Sequence, residues 1–214
     1  MNAALAVAMT VTVGYVCGSL PWGLWLARAF KGVDVRTVGS GNLGATNVYR
    51  SMGRTIGIAT LALDMAKGAL PVLALAHTDI AAAFPGGPPW CAISAGAAAV
   101  AGHVWTMFAG FRGGKGVATA AGVMLALAPL PLLISAFVFV LTVWITRFIS
   151  LGSMLAAAVF PVGVALLDSR GIHSPVFALG VVMALLLIAR HRDNIRRLRR
   201  GEERRFSLAG RENS

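Results

Sequence analysis

The chain has 214 residues, of which 57% are hydrophobic and 13% charged, with a formal net charge of +11 and a mean hydropathy of +0.75. Soluble domains carry roughly 25% charged residues, so too few polar side chains are present to coat a hydrated surface, and an ordinary soluble domain is excluded. Lipid tolerates an apolar exterior as long as backbone groups bond internally, and this length allows roughly five to eight crossings of about 20 residues each. The expectation is therefore an all-α, polytopic integral membrane protein, a single membrane-embedded domain over residues 1–214. Cys17 and Cys91 lie in apolar runs and offer neither a disulfide framework nor a metal spacing.

In chain order, apolar stretches at 3–29, 55–76, 89–108, 117–128, 131–146, 151–167 and 175–189 predict seven transmembrane helices. The first has no basic residue before Arg28 and is too long for a signal-peptide core, so it reads as a retained helix. The division between the fourth and fifth rests on Pro129 and Pro131. With seven crossings, Arg28, Lys31, Arg36, Arg50, Arg54, Arg112, Lys115, Arg147 and the basic tail from Arg190 share one side. The other side has Arg170, beside Asp168 and Asp79. Orientation follows Lys and Arg near helix ends, so the N-terminus is expected outside and the C-terminus, with the basic tail 190–214, in the cytoplasm. That distribution also argues against nucleic acid as the partner of the positive charge. The tail reads as a helix that leaves the last crossing and lies on anionic lipid, each basic residue contributing about 1 kcal/mol.

Two cytoplasmic loops are rich in glycine. In the first, Gly39, Gly41 and Gly44 alternate with Ser40, Asn42, Thr46 and Asn47 and lead to Arg50. Glycine permits positive φ and close backbone approach, so successive amides converge on an anion while the side chains add donors. Arg50 adds a forked cation suited to phosphate or carboxylate. The second loop, 110–119, sets Lys115 among Gly113, Gly114 and Gly116 at the start of a helix. It lacks the spacing and the hydroxyl residue of a nucleotide P-loop, but a helix N-terminus beside a lysine attracts phosphate. Farther along, His191 and Asn194 share a helix face, and Ser150 and Ser153 form a smaller polar patch near Arg147. Asp64 and Lys67, three apart within a crossing, read as a structural ion pair, and His103 as a structural histidine. There is no carboxylate pair, Ser/His/Asp order or Cys/His cluster for acid–base, nucleophilic or metal chemistry. If the chain is an enzyme, electrostatic positioning must carry most of the catalysis, and the substrate needs a reactive bond. A small transporter of phosphorylated organic anions is the alternative reading.

The segments 18–23 (GSLPWG), 34–36 (DVR), 39–50 (GSGNLGATNVYR), 113–119 (GGKGVAT) and 190–195 (RHRDNI) together resemble the bacterial acyl-phosphate:glycerol-3-phosphate acyltransferase family, in order across nearly the whole chain. One departure is Val104-Trp105, following Gly102-His103, where the family usually has Phe-Pro. The resemblance implies a seven-helix enzyme of the bacterial inner membrane with its site at the cytoplasmic surface. It implies acyl transfer from acyl phosphate to the 1-hydroxyl of glycerol 3-phosphate, giving lysophosphatidic acid, with no metal, no cofactor and no direct use of acyl-CoA. Functional coupling to an acyl-phosphate-producing enzyme follows from that donor. By matching motif, Ser40 and Asn42 hold the acyl phosphate or developing oxyanion, while Asn47, Arg50, Lys115, His191, Asn194 and Ser150 position glycerol 3-phosphate. Gly39, Gly41, Thr46, Gly113, Gly114 and Gly116 complete the substrate-binding loops. An acyl-chain groove is expected beside residues 14–18.

Overall fold

The computed structural model describes residues 1–206; the end of the basic tail, 207–214, lies outside the described residues. Among the described residues the regular structure is entirely helical: α1 (Ala3–Ser19), α2 (Trp22–Lys31), α3 (Ala45–Met52), α4 (Arg54–Leu75), α5 (Asp79–Ala83), α6 (Pro88–Val104), α7 (Val117–Leu127), α8 (Pro129–Thr146), α9 (Ile149–Leu167), α10 (Pro175–Arg190) and α11 (Arg192–Arg200). They pack as two compact units, Met1–Leu127 and the chain from Ala128 onward.

All seven predicted apolar stretches are helical, but among the described residues only five spans are long and apolar enough to cross a bilayer by themselves. These are Ala3–Lys31, Arg54–Leu75, Pro88–Ala109, Pro129–Thr146 and Ile149–Leu167. α10 joins α11 across a 56° bend, and the pair together meets the same test. α7 falls short, and its neighbours in the first unit explain why. Val72 and Gly96 meet across α4 and α6, as do Asp64 and His103, so the two helices run antiparallel. α6 stops at Val104, beside Asp64, and thus about 15 Å short of the Arg54 end of α4 at 1.5 Å per residue. The second glycine loop is recessed, and α7 starts part-way along α4.

Local chemistry sets the other breaks. The first stretch, expected as one helix, divides at Leu20-Pro21, where proline lacks the N–H that would continue the ladder. The split near Pro129 and Pro131 falls at Ala128, with Pro129 in the first turn of α8. The first polar connection is not all loop: Gly44 opens α3, which carries Thr46, Asn47 and Arg50.

α1 and α6 run parallel with a constant offset. Thr10 meets Cys91 at 3.3 Å, Gly14 faces Ala95, and Gly18 faces Ala99. Small residues one turn apart let the backbones touch, the usual solution for helix packing in lipid. The groove expected beside 14–18 is therefore absent on the glycine face, because α6 fills it. A Cβ at Gly18 would collide with the Ala99 carbonyl. Gly18→Val should therefore destabilise the protein by about 1–3 kcal/mol, read as a lower thermal midpoint in detergent; an unchanged midpoint would contradict this packing.

Candidate active site

In the first unit, one carboxamide organises the first glycine loop. Asn47, 5% exposed, accepts a hydrogen bond from the Ser40 N–H at 2.8 Å. Its NH2 is shared among the carbonyls of Asn42 at 2.9 Å and of Val35 and Val38, both at 3.2 Å. The buried amide thus replaces a missing sheet or helix partner for three backbone groups and reinforces the Val38 carbonyl, which also accepts from the Gly41 N–H. Gly39 (φ +61°) and Gly41 (φ +69°) take the left-handed turns this path requires, and a Cβ on Gly39 would strike the Asn47 amide. Asn42 Oδ1 accepts from the Gly44 N–H at 2.8 Å and fixes the approach to α3. Below the loop, Leu24, Ala27, Val35, Leu43, Val48 and Ala109 form an apolar plug.

The result leaves Ser40 exposed, with Asn42, Thr46 and Arg50 half-buried. Thr46 and Arg50, four apart on α3, share a face. Asp34 binds Arg36 at 2.6 Å and Arg28 at 2.7 Å. The Arg36 hydrogen bonds, aided by Arg28, hold the Asp34 carboxyl well below the usual carboxylate range.

The second loop is fastened to the end of α6 and to the end of α1. The Gly113 and Gly114 N–H groups donate to the Val104 and His103 carbonyls, each at 3.1 Å. The Tyr15 hydroxyl donates to the Trp105 carbonyl at 2.6 Å, and the Thr106 hydroxyl donates to the Ser19 carbonyl. Gly114 sits against the His103 ring, where a side chain would clash, and Gly116 (φ +87°) turns the chain into α7. Lys115 is half-buried between them, beside the first turn of α7, whose amides point out of its N-terminus. A crevice lies between the two loops, bordered by Leu43 of the first and Gly114 of the second, with Ser19, Trp22, Asp64, Lys67, His103 and Thr106 also lining it.

In the second unit, the residue that sequence reasoning missed is Glu203. Its side chain is 6% exposed and gathers the Ser150 hydroxyl at 2.6 Å, the Asn194 NH2 at 2.6 Å and Arg197 Nε at 2.8 Å. Gly201, left-handed at φ +72°, turns the chain back after α11 so that Glu203 reaches these partners. The signal was a glutamate pair, Glu202 and Glu203, inside an arginine run. The strap continues with the Phe206 N–H on the Arg147 carbonyl at 2.6 Å and with Arg205 over the Phe148 ring at 5.9 Å. His191, 3% exposed, stands at the bend between α10 and α11. Its Nδ1 lies 2.7 Å from the Leu187 carbonyl; because a carbonyl only accepts, Nδ1 carries the proton. Ser150 and Asn194, each expected among the residues that position glycerol 3-phosphate, are bridged by Glu203. Ser153 instead donates to the Ile149 carbonyl at 2.9 Å. Among the described residues, no group of three or more His, Cys, Asp or Glu side chains is placed to hold a metal ion.

Burial pushes the Glu203 carboxyl up, but the bonds from Ser150, Asn194 and Arg197 outweigh it and leave the group below its usual range. Such a group adds stability in full above its unfolded pKa, about 4.3, and loses it as pH falls through the lower folded value. Thermal midpoints measured from pH 7 to pH 3 should therefore differ between wild type and Glu203→Gln at neutral pH and converge under acid. A difference that stays constant with pH would contradict the assignment.

The family model described as Glycerol-3-phosphate acyltransferase matches residues 8–201. A glycerol-3-phosphate acyltransferase of Geobacter sulfurreducens is 51% identical over 194 residues, covering 91% of this chain and 94% of the relative. That of Geobacter metallireducens is 55% identical over 195 residues, covering 90% and 93%. The crystal structure of PlsY, an integral membrane glycerol 3-phosphate acyltransferase, is similar in its glycerol 3-phosphate form with a TM-score of 0.83 at 37% identity, over 95% of this chain and 96% of that one. Its lysophosphatidic acid form gives a TM-score of 0.81 at 36% identity, over 95% and 97%. This multi-pass, all-helical chain belongs to the glycerol-3-phosphate acyltransferase family, of the PlsY type.

Proposed function

We propose that this protein transfers a fatty acyl group from acyl phosphate to the 1-hydroxyl of glycerol 3-phosphate, releasing lysophosphatidic acid and inorganic phosphate. The observation that carries the reading is the pair of rigid glycine loops around one crevice, with Lys115 on one and Arg50 just beyond the other. Both suit phosphoryl oxygen. The crystal structures of the similar PlsY, in forms with glycerol 3-phosphate and lysophosphatidic acid, support the acceptor and the product.

The donor follows from chemistry. Acyl phosphate is a mixed anhydride with a good leaving group, so no covalent enzyme intermediate and no strong protein base are needed. The 1-hydroxyl oxygen attacks the acyl carbon, the carbon–oxygen bond to phosphate breaks, and phosphate leaves with the electron pair. The hydroxyl proton passes to a phosphate oxygen. Catalysis then consists of holding two anions in reach of one another and stabilising the oxyanion. Ser40 and Asn42 serve the acyl phosphate, with Gly39, Gly41 and Thr46 shaping their loop. Arg50 and Lys115 bind and neutralise glycerol 3-phosphate; His191, Asn194 and Ser150 are assigned to the same substrate by the matching motif alone. Asn47 contributes by folding the first loop, and Gly113, Gly114 and Gly116 by presenting Lys115.

In the first unit, the basic residues cluster at the glycine-loop end of the bundle, while the connection 76–87 has neither Lys nor Arg. Positive charge stays cytoplasmic, so this end faces the cytosol and the N-terminus lies outside the bacterial inner membrane. A reaction that makes acyl phosphate must supply the donor from that side.

Purified protein incubated with labelled glycerol 3-phosphate should form lysophosphatidic acid with acyl phosphate and none with acyl-CoA. Product from acyl-CoA alone would overturn the donor assignment. Lys115→Ala should raise KM for glycerol 3-phosphate at least tenfold, or abolish turnover, with the fold intact. Asn42→Ala should lose more than about 99% of activity, in the range seen when an oxyanion donor is removed. Wild-type kinetics in either variant would remove that residue from the site.

A further inference from the structure

Within the first unit lies a buried polar cluster that the transfer chemistry above does not use. Asp64 and Lys67, a turn apart on α4, pair at 2.7 Å with side chains 2% and 3% exposed. His103, 5% exposed, brings Nδ1 to 3.7 Å from Asp64 Oδ1. Lys67 Nζ also donates to the Leu20 carbonyl at 2.7 Å. A buried ion pair is a poor device for stability alone, since apolar residues of similar volume serve as well or better. What it supplies is direction, and here each direction ends where a chain segment breaks. Lys67 reaches the carbonyl at the α1–α2 break. His103 stands in the last turn of α6, its carbonyl accepts the Gly114 N–H at 3.1 Å, and its ring lies against Gly114, the residue before Lys115. All three line the crevice between the glycine loops.

We propose that Asp64, Lys67 and His103 are positioning residues for the acceptor phosphate: a charge-balanced post that sets the depth of the 113–116 loop, and thereby the place of Lys115, against the α1–α2 break. This rests on the reading that Lys115 binds glycerol 3-phosphate. Three features of the unit meet at the post. α6 stops at the level of Asp64, where His103 Nδ1 lies 3.7 Å from the carboxylate. The loop that follows is recessed to that level. The proline break after α1 is spanned by a lysine from a third helix, so the first span and the second loop share one fixed point. A misplacement of about 1 Å in a substrate-holding group is enough to lose up to 100-fold in rate.

The test is the double variant Asp64→Asn/Lys67→Met, which removes both charges together and leaves none buried unpaired. With KM measured for each substrate and the thermal midpoint alongside, the expected result is an increase of about 10- to 100-fold in KM for glycerol 3-phosphate. KM for acyl phosphate should stay within about twofold and the midpoint within a few degrees. An unchanged KM for glycerol 3-phosphate overturns the proposal, whether or not the midpoint falls, and so does an equal rise for both substrates. Should the double variant fail to fold, His103→Gln, which leaves the ion pair intact, is read by the same criterion. Lys115→Ala run in parallel separates the two layers. If it leaves KM for glycerol 3-phosphate unmoved, the reading of Lys115 fails; if it raises that KM and the post variants do not, the post alone fails.

Discussion

A backbone group removed from water in an apolar bundle has to find another partner, and this constraint decides where the protein can carry irregular chain. The two glycine loops of the first unit exist because neighbouring groups satisfy their carbonyls and amides. The Asn47 side chain does so for the first loop. For the second, the last carbonyls of α6 and the Tyr15 hydroxyl do so, and Thr106 ties the loop to the Ser19 carbonyl. Once fixed, such loops hold the polar and cationic side chains they carry, so that these need not reorganise when an anion arrives, which is the condition for strong electrostatic stabilisation. In the proposed site, the bonds that make the irregular chain tolerable are also the ones that keep its donors in place.

The membrane class, the helical segments and both glycine loops were legible because each is a local signal. Apolar runs of crossing length, prolines at breaks, and glycines interleaved with small donors all lie close together in sequence. The shortness of α7 was visible in the 117–128 stretch, but its cause was not, because it depends on where α6 stops against α4, a contact between residues far apart in the chain. The role of Asn47 was half-visible. Its place in the motif marked it as important, but its amide turns toward the backbone of its own loop, which the motif does not reveal. Glu203 was missed for the opposite reason. In a run of arginines it reads as a solvated countercharge, and only the turn at Gly201 shows that it reaches Ser150 and Asn194.

The ion pair of α4 was foreseen as a contact, but its setting was not. Its partner His103 falls where the sequence departs from the family pattern, with Val104 and Trp105 following. In the structure the Trp105 carbonyl is held by Tyr15 and the Val104 carbonyl by Gly113. Both bonds are made by backbone carbonyls, so neither calls for a particular side chain at these positions.

The account stands on phosphate being what the loops grip. Calorimetric titration of the purified protein with glycerol 3-phosphate and, separately, with glycerol tests this most directly. The account predicts saturable one-to-one binding of glycerol 3-phosphate that weakens as salt is raised, and no measurable binding of glycerol. Equal affinity for the two, or binding of glycerol 3-phosphate indifferent to salt, would contradict it.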